Sequence, residues 1–264
     1  MTPALLPLVR PALREALRGR WLLGLMLGLM LVGELLLRFG GGGPTTLVSM
    51  LDVVLILTPL VGLVFGTLQL HHGREFTELL LAQPVRRTRL FAVLYLGAAV
   101  PLAAALAVGV LAPFAWHGNL GGAGAGRVLA LAGAAVVLAL VSTALAFVIA
   151  LAADDRVRAL GLALALWLVA AVLWDGLLLL VAMGFGNRPI EVPLLVLLGL
   201  NPIDLTRVLL LLGTDAAALL GYTGALAQRV LGDAAGRAVL GVLLTGWLVV
   251  PLVAARRAFV RKDF

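Results

Sequence analysis

The sequence predicts an all-α integral membrane protein with six transmembrane helices and both termini in the cytoplasm, and three observations carry that reading. Of the 264 residues, 62% are hydrophobic and 12% charged, with a mean hydropathy of +1.13, whereas a soluble domain carries about a quarter charged residues. Six apolar stretches each reach the ~20 residues that a bilayer crossing needs. The cations gather in short clusters between those stretches, which is the footprint of membrane topology and not of nucleic-acid binding, despite a net charge of +7.

In chain order, residues 1–20 come first and form an amphipathic elbow helix: Leu6, Val9, Leu13 and Leu17 share one helical face, and Arg10, Arg14 and Arg18 recur every fourth residue on another. The alternative is a basic flank of the first span, and no small-residue cleavage site stands beyond it that would make it a signal peptide. The first span covers 21–39, ends at the Gly40–Pro44 run, and is followed by a second from 47 to 70. A polar cytoplasmic loop occupies 71–89. The third span covers 90–116, a Gly-rich loop 118–126, the fourth span 128–152, a charged turn 153–158, and the fifth span 159–185.

Residues 186–235 are harder to place, because Val192–Leu200 is too short to span and Asn201-Pro202 breaks the apolar run before Leu205–Leu212. The segment reads as a helical extracytoplasmic insertion of about fifty residues. Asp204 stands as the N-cap of a short helix through Leu212, and a second short helix starts at Asp215. The alternative is a re-entrant hairpin over 192–212. A sixth span from 236 to 254 leads into a basic tail, and the whole chain, 1–264, reads as a single membrane domain.

Orientation rests on the cations. With the N-terminus inside, fourteen Lys and Arg residues fall on the cytoplasmic side and six outside, namely Arg38, Arg127, Arg188, Arg207, Arg229 and Arg237. The Leu-, Ala- and Arg-rich, nearly Lys-free usage is associated with GC-rich bacterial genomes, and the expected location is a bacterial inner membrane. Cysteine is absent, so disulfides and thiolate metal sites are excluded.

Three acidic residues lie inside spans, where an uncompensated charge costs at least ~2.5 kcal/mol. Glu34 and Asp52 fall near outer ends, where water reaches them. Asp175 is deeper, and the expectation is that it pairs with an outer Arg across a dimer or lines a polar cavity. Met26 and Met30 share a face with Glu34, but with no further Met or Cys at such spacing they read as packing, and no metal site is predicted. His71 and His72 read as a wet interface. Gly24 and Gly28, like Gly62 and Gly66, carry the small-residue spacing that lets helices approach.

A membrane-embedded enzyme needs clustered acids, bases or metal ligands at depth. Three His, two of them adjacent in a loop, do not supply them. An ion-coupled transporter shows inverted repeats, and none relates 21–116 to 128–254. The most informative passage is cytoplasmic. Residues 74–84 form a short helix that puts Phe76, Leu79, Leu80 and Gln83 on one face, and Pro84 stops it. Such a helix either docks in a partner's groove or anchors its loop at the interface.

The order of parts resembles the membrane subunits of ABC-2 type transporters: elbow, first span, and a polar first loop carrying Arg74, Glu75, Thr77, Glu78, Leu79, Leu80, Leu81, Pro84 and Arg87, with Phe76-Thr77 where the family usually shows Gly-Thr. That resemblance implies a homodimer driven by two copies of a separate ABC ATPase. Arg74, Glu75, Phe76, Glu78, Leu79 and Pro84 would make the coupling helix against that ATPase. ATP and Mg belong to the partner, since no phosphate-binding Gly-rich loop with Lys occurs and the only Lys is Lys262. Leu200–Arg207 and Gly221–Ala225 are similar to the outer insertion of the copper-processing permeases of nitrous oxide reductase maturation. This implies that Asn201, Pro202, Asp204, Arg207 and Tyr222 form a platform for a periplasmic β-helical protein, with a copper-chaperone lipoprotein nearby. The remaining alternative is an exporter of a small or lipophilic substrate.

Overall fold

A computed structural model describes residues 20–40, 44–73, 86–118, 124–185, 191–212 and 232–262. The elbow (1–19), the proposed coupling residues Arg74, Glu75, Phe76, Glu78, Leu79 and Pro84, and Tyr222 lie outside the described residues. Those that are described are helical: α1 (Arg20–Phe39), α2 (Pro44–His72), α3 (Arg87–Trp116), α4 (Ala125–Ala152), α5 (Arg156–Leu168), a π-helical turn (Val169–Leu173), α6 (Trp174–Phe185), α7 (Glu191–Gly199), α8 (Pro202–Leu211) and α9 (Ala234–Arg261). Six stretches are long and apolar enough to cross a membrane, and they are α1, α2, α3, α4, α5 continued through the π turn into α6, and α9. They match the six expected spans, with helix running a few residues further into the basic flanks.

Small polar residues set the boundaries. Asp155 caps α5 by accepting the Arg158 N–H at 2.8 Å, and Asp233 caps α9 by accepting that of Gly236 at 2.7 Å. Gly118 ends α3 in the left-handed region at φ 70°, a conformation that suits glycine.

The centre of the molecule is α4, which packs against α2, α3, α5, α8 and α9. A Cβ on Gly62 would collide with Ser142, and one on Gly66 would lie 2.7 Å from the Cβ of Ala146. The second of the two glycine pairs therefore makes the α2–α4 seam. A Cβ on Gly24 or Gly28 would meet nothing within 4 Å among the described residues. Parallel pairing also joins α1 to α3, where Gly33 meets Pro113 and Gly109 meets Leu29. The buried hydroxyls of Thr67, Ser142, Thr143 and Thr206 return to carbonyls of their own helices at 2.7 Å, so they cost the core little.

The end that carries Arg87 and Lys262, here the basic face, is stitched by an aromatic cluster. Phe91 lies 5.7 Å from Phe259 and 6.0 Å from Phe147, and Tyr95 lies 5.8 Å from Phe147. These rings join α3, α4 and α9. At the opposite face Glu34 accepts from Arg38 Nε at 2.6 Å, and His117 Nδ1 stands 3.7 Å from the same carboxylate. Glu34 is thus paired near a helix end, where the sequence predicts only water.

Within the expected insertion, residues 191–212 form a helical hairpin, α7 and then α8, packed against α2, α4 and α9, the arrangement that the alternative reading of 192–212 describes. Its arms of nine and ten residues rise about 14 and 15 Å, half of a ~30 Å hydrocarbon core. The tip lies level with Pro59, Leu138, Ala170 and Trp247, near the midpoints of their helices.

Candidate functional site

The hairpin turns the chain at Asn201, Pro202 and Ile203, which are buried, so its backbone groups need partners within the protein. Its local chemistry solves that in two halves. On the descending side, the last four carbonyls of α7 have no helical partner by default. Val196 and Leu197 accept from the Leu200 N–H, and Leu198 accepts from the Asn201 N–H. Leu197 also accepts the Trp174 indole N–H at 3.2 Å, and Gly199 accepts that of Trp247 at 2.9 Å. On the returning side, Asn201, not Asp204, caps α8. Its Oδ1 accepts the Ile203 N–H at 3.0 Å, and Pro202 at the first helical position has no N–H to satisfy.

The other end of the Asn201 amide reaches the fifth span. Nδ2 donates to the Ala170 carbonyl at 2.8 Å and to Asp204 Oδ2 at 3.0 Å. Ala170 is available because it sits in the π turn, where the Trp174 N–H bonds back to Val169 and the ordinary ladder is displaced. A third indole, that of Trp167, donates to the Ile56 carbonyl at 3.0 Å. Ile56 lies one residue after Leu55, whose carbonyl loses its partner to Pro59.

Around this turn lies a charged cluster. Arg207 Nη1 stands 3.3 Å from Asp204 Oδ1 and 3.3 Å from Asp175 Oδ2. The Asp204 side chain is 5% exposed, that of Arg207 19%, and that of Asp175 52%. Two carboxylates therefore share one guanidinium, and Arg207 Nε is buried with no partner among the described residues. Asp204 has each oxygen engaged, one by Arg207 and one by Asn201, which is what a buried carboxylate requires.

Of the residues expected in a platform, Asn201, Pro202 and Asp204 are buried and serve the turn itself, and the Arg207 side chain is mostly covered. Asp175 pairs with Arg207 within the same chain. Asp52 is exposed on α2 with no ion pair among the described residues. Met26 packs against the core, and His71 Nδ1 lies 3.0 Å from the Thr67 carbonyl. Among the described residues no group of three His, Asp or Glu is arranged to hold a metal.

The sequence reading misses Trp167, Trp174 and Trp247, although a signal is present. Indoles at mid-span need an acceptor, and within helices the carbonyls are taken, so three mid-span tryptophans imply a break nearby. It also misses the basic-face strap. Arg87 Nη1 donates to the carbonyls of Val260 and Lys262 at 3.1 and 2.8 Å. Lys262 Nζ donates to Leu151 O and Asp154 Oδ1, both at 2.9 Å. The start of α3, the end of α4 and the end of α9 are thus tied together beside the loop 74–85.

Between α2, α4, α8 and α9, towards the opposite face, lies an apolar cavity of about 550 Å³. A smaller one of about 110 Å³ lies under the hairpin tip.

Six apolar spans, with α4 central among them, and a short helical hairpin pinned by indoles at the level of their midpoints define a polytopic membrane protein of permease type. The chain belongs to the ABC-2 family: the family described as ABC-2 family transporter protein matches residues 8–264. Such proteins are the membrane transport components that work with ATPase partners in ABC transporters. A search of curated proteins found no significant match.

Proposed function

We propose that two copies of this chain form the permease of an ABC transporter in a bacterial inner membrane, with the basic face cytoplasmic and a separate ATPase bound to residues 74–84. The observation that carries the coupling is the basic-face strap. Arg87 opens the helix that comes after the docking loop and holds the last carbonyls of α9, while Lys262 holds α4. A push on the loop is therefore delivered to α9 and α4 together. Both grip the hairpin, α9 through Trp247 and Gly199. The ATPase supplies ATP and Mg binding, and this chain supplies the lever.

The test is Glu78→Arg, which reverses charge on the docking helix. Membrane insertion stays intact, and ATP turnover of the assembled complex loses its link to transport. Unchanged coupling in that variant removes the assignment of residues 74–84.

The process served is copper-site maturation of nitrous oxide reductase, supported by the likeness of Leu200–Arg207 and Gly221–Ala225 to that system's permease. With Asn201, Pro202 and Asp204 buried, contact with a periplasmic β-helical partner and a copper-chaperone lipoprotein falls to the rest of 186–235, Tyr222 included. Normal copper content of the reductase in cells carrying only Glu78→Arg would exclude this process. Export of a small or lipophilic substrate is the second reading, favoured by the 550 Å³ apolar cavity.

A further inference from the structure

The larger cavity has a polarity that neither reading uses. Its walls are aliphatic, including Leu51, Leu131, Val137 and Leu244, and its two charged lining residues are Arg127 and Arg237. Both arginines are exposed, and neither has an ion pair among the described residues. Arg38, at the same face, is paired with Glu34. Both also stand in the first turn of their helices, α4 and α9, where the macrodipole disfavours a cation and favours an anion. Since α4 and α9 run parallel, the two guanidinium groups sit at one level. From Arg127 to Val137 the cavity wall descends ten residues, about 15 Å, or one leaflet of a ~30 Å core. Its volume of about 550 Å³ lies within the ~300–1,000 Å³ of ligand sites.

We propose that this cavity is a binding site for an anionic membrane phospholipid, one acyl chain lying along α4 and the headgroup phosphate held between Arg127 and Arg237. The reading goes beyond the coupling proposal and does not depend on it, because binding is measured without ATP. Gly133 lines the cavity and a Cβ there meets nothing within 4 Å, so a side chain added at this position starts into open space.

The experiment is native mass spectrometry of the purified full-length protein, titrated with phosphatidylglycerol or phosphatidylcholine of identical chains. Wild type retains phosphatidylglycerol at least tenfold better. The double variant Arg127→Gln/Arg237→Gln brings the two lipids to within twofold. Gly133→Phe lowers retention of phosphatidylglycerol at least tenfold, and Gly133→Ala leaves it unchanged, which separates filling from misfolding. Equal retention of both lipids by wild type, or full retention by Gly133→Phe, overturns the proposal. So does complete competition by glycerol 3-phosphate, which would mark a headgroup site alone. Residues 213–231 come directly after the cavity wall in sequence, and the absence of native cysteine permits a clean check on them. An Ala134→Cys/Leu219→Cys pair that crosslinks at the same rate with and without saturating phosphatidylglycerol shows the chain itself as occupant and overturns the proposal. Suppression of the crosslink by the lipid supports it.

Discussion

The indole N–H of Trp247 donates to the carbonyl of Gly199 at 2.9 Å, joining the middle of the sixth span to the bottom of a hairpin that enters from the opposite face. Both residues are partly buried, so losing the donor leaves a half-covered carbonyl to find another partner.

Trp247→Phe keeps most of the packing and removes the donor. The orphaned Gly199 carbonyl then costs about 1–3 kcal/mol. The expected outcome is lower thermal stability of the detergent-purified protein, with increased protease cleavage within 191–212. Identical unfolding of variant and wild type would show that the bond contributes nothing.

Arg207→Met leaves Asp204 buried without its cation, a loss of the kind that costs about 3–5 kcal/mol. Adding Asp204→Asn removes the stranded charge, so the double variant recovers most of the stability. Additive losses in the two-residue cycle, measured by thermal unfolding, would mean that the pair is not coupled.

Glycine substitutions separate a seam from a coincidence. Gly66→Leu forces α2 from α4 at Ala146 and sharply lowers the yield of folded protein, whereas Gly28→Leu, with open space around it, leaves the yield unchanged. Size-exclusion profiles of the two variants decide the matter; equal profiles would refute the seam.

Topology is tested with single cysteines in a chain that has none of its own. Arg38→Cys reacts with a membrane-impermeant maleimide in intact cells, and His72→Cys reacts only after permeabilisation. The reverse pattern would invert the orientation and move the ATPase to the wrong side.

The six spans are legible because hydropathy over ~20 residues is a strong signal and the cation clusters separate one span from the next. The hairpin is not legible in the same way. Its halves, of nine and ten residues, fall below the length at which a span declares itself. Asn201 and Asp204 look like surface chemistry because polar side chains usually are. What buries them is a set of partners far away in sequence, Ala170 and Arg207's second carboxylate Asp175 among them. Arg87 is legible from its motif, but its grip on Val260 and Lys262 spans more than 170 residues and leaves no local trace.

The half-length of α7 and α8 also dictates how the protein is made. Neither half is long enough to halt a chain in transit through the insertion machinery as a full span does. The segment relies on α2, α4 and α9 for its seat. Its seat is complete only once Trp247 has been synthesised, some forty-eight residues after Gly199. Assembly of the hairpin is therefore a late, post-insertion event, and truncation before the sixth span would leave a correctly threaded but unplugged bundle.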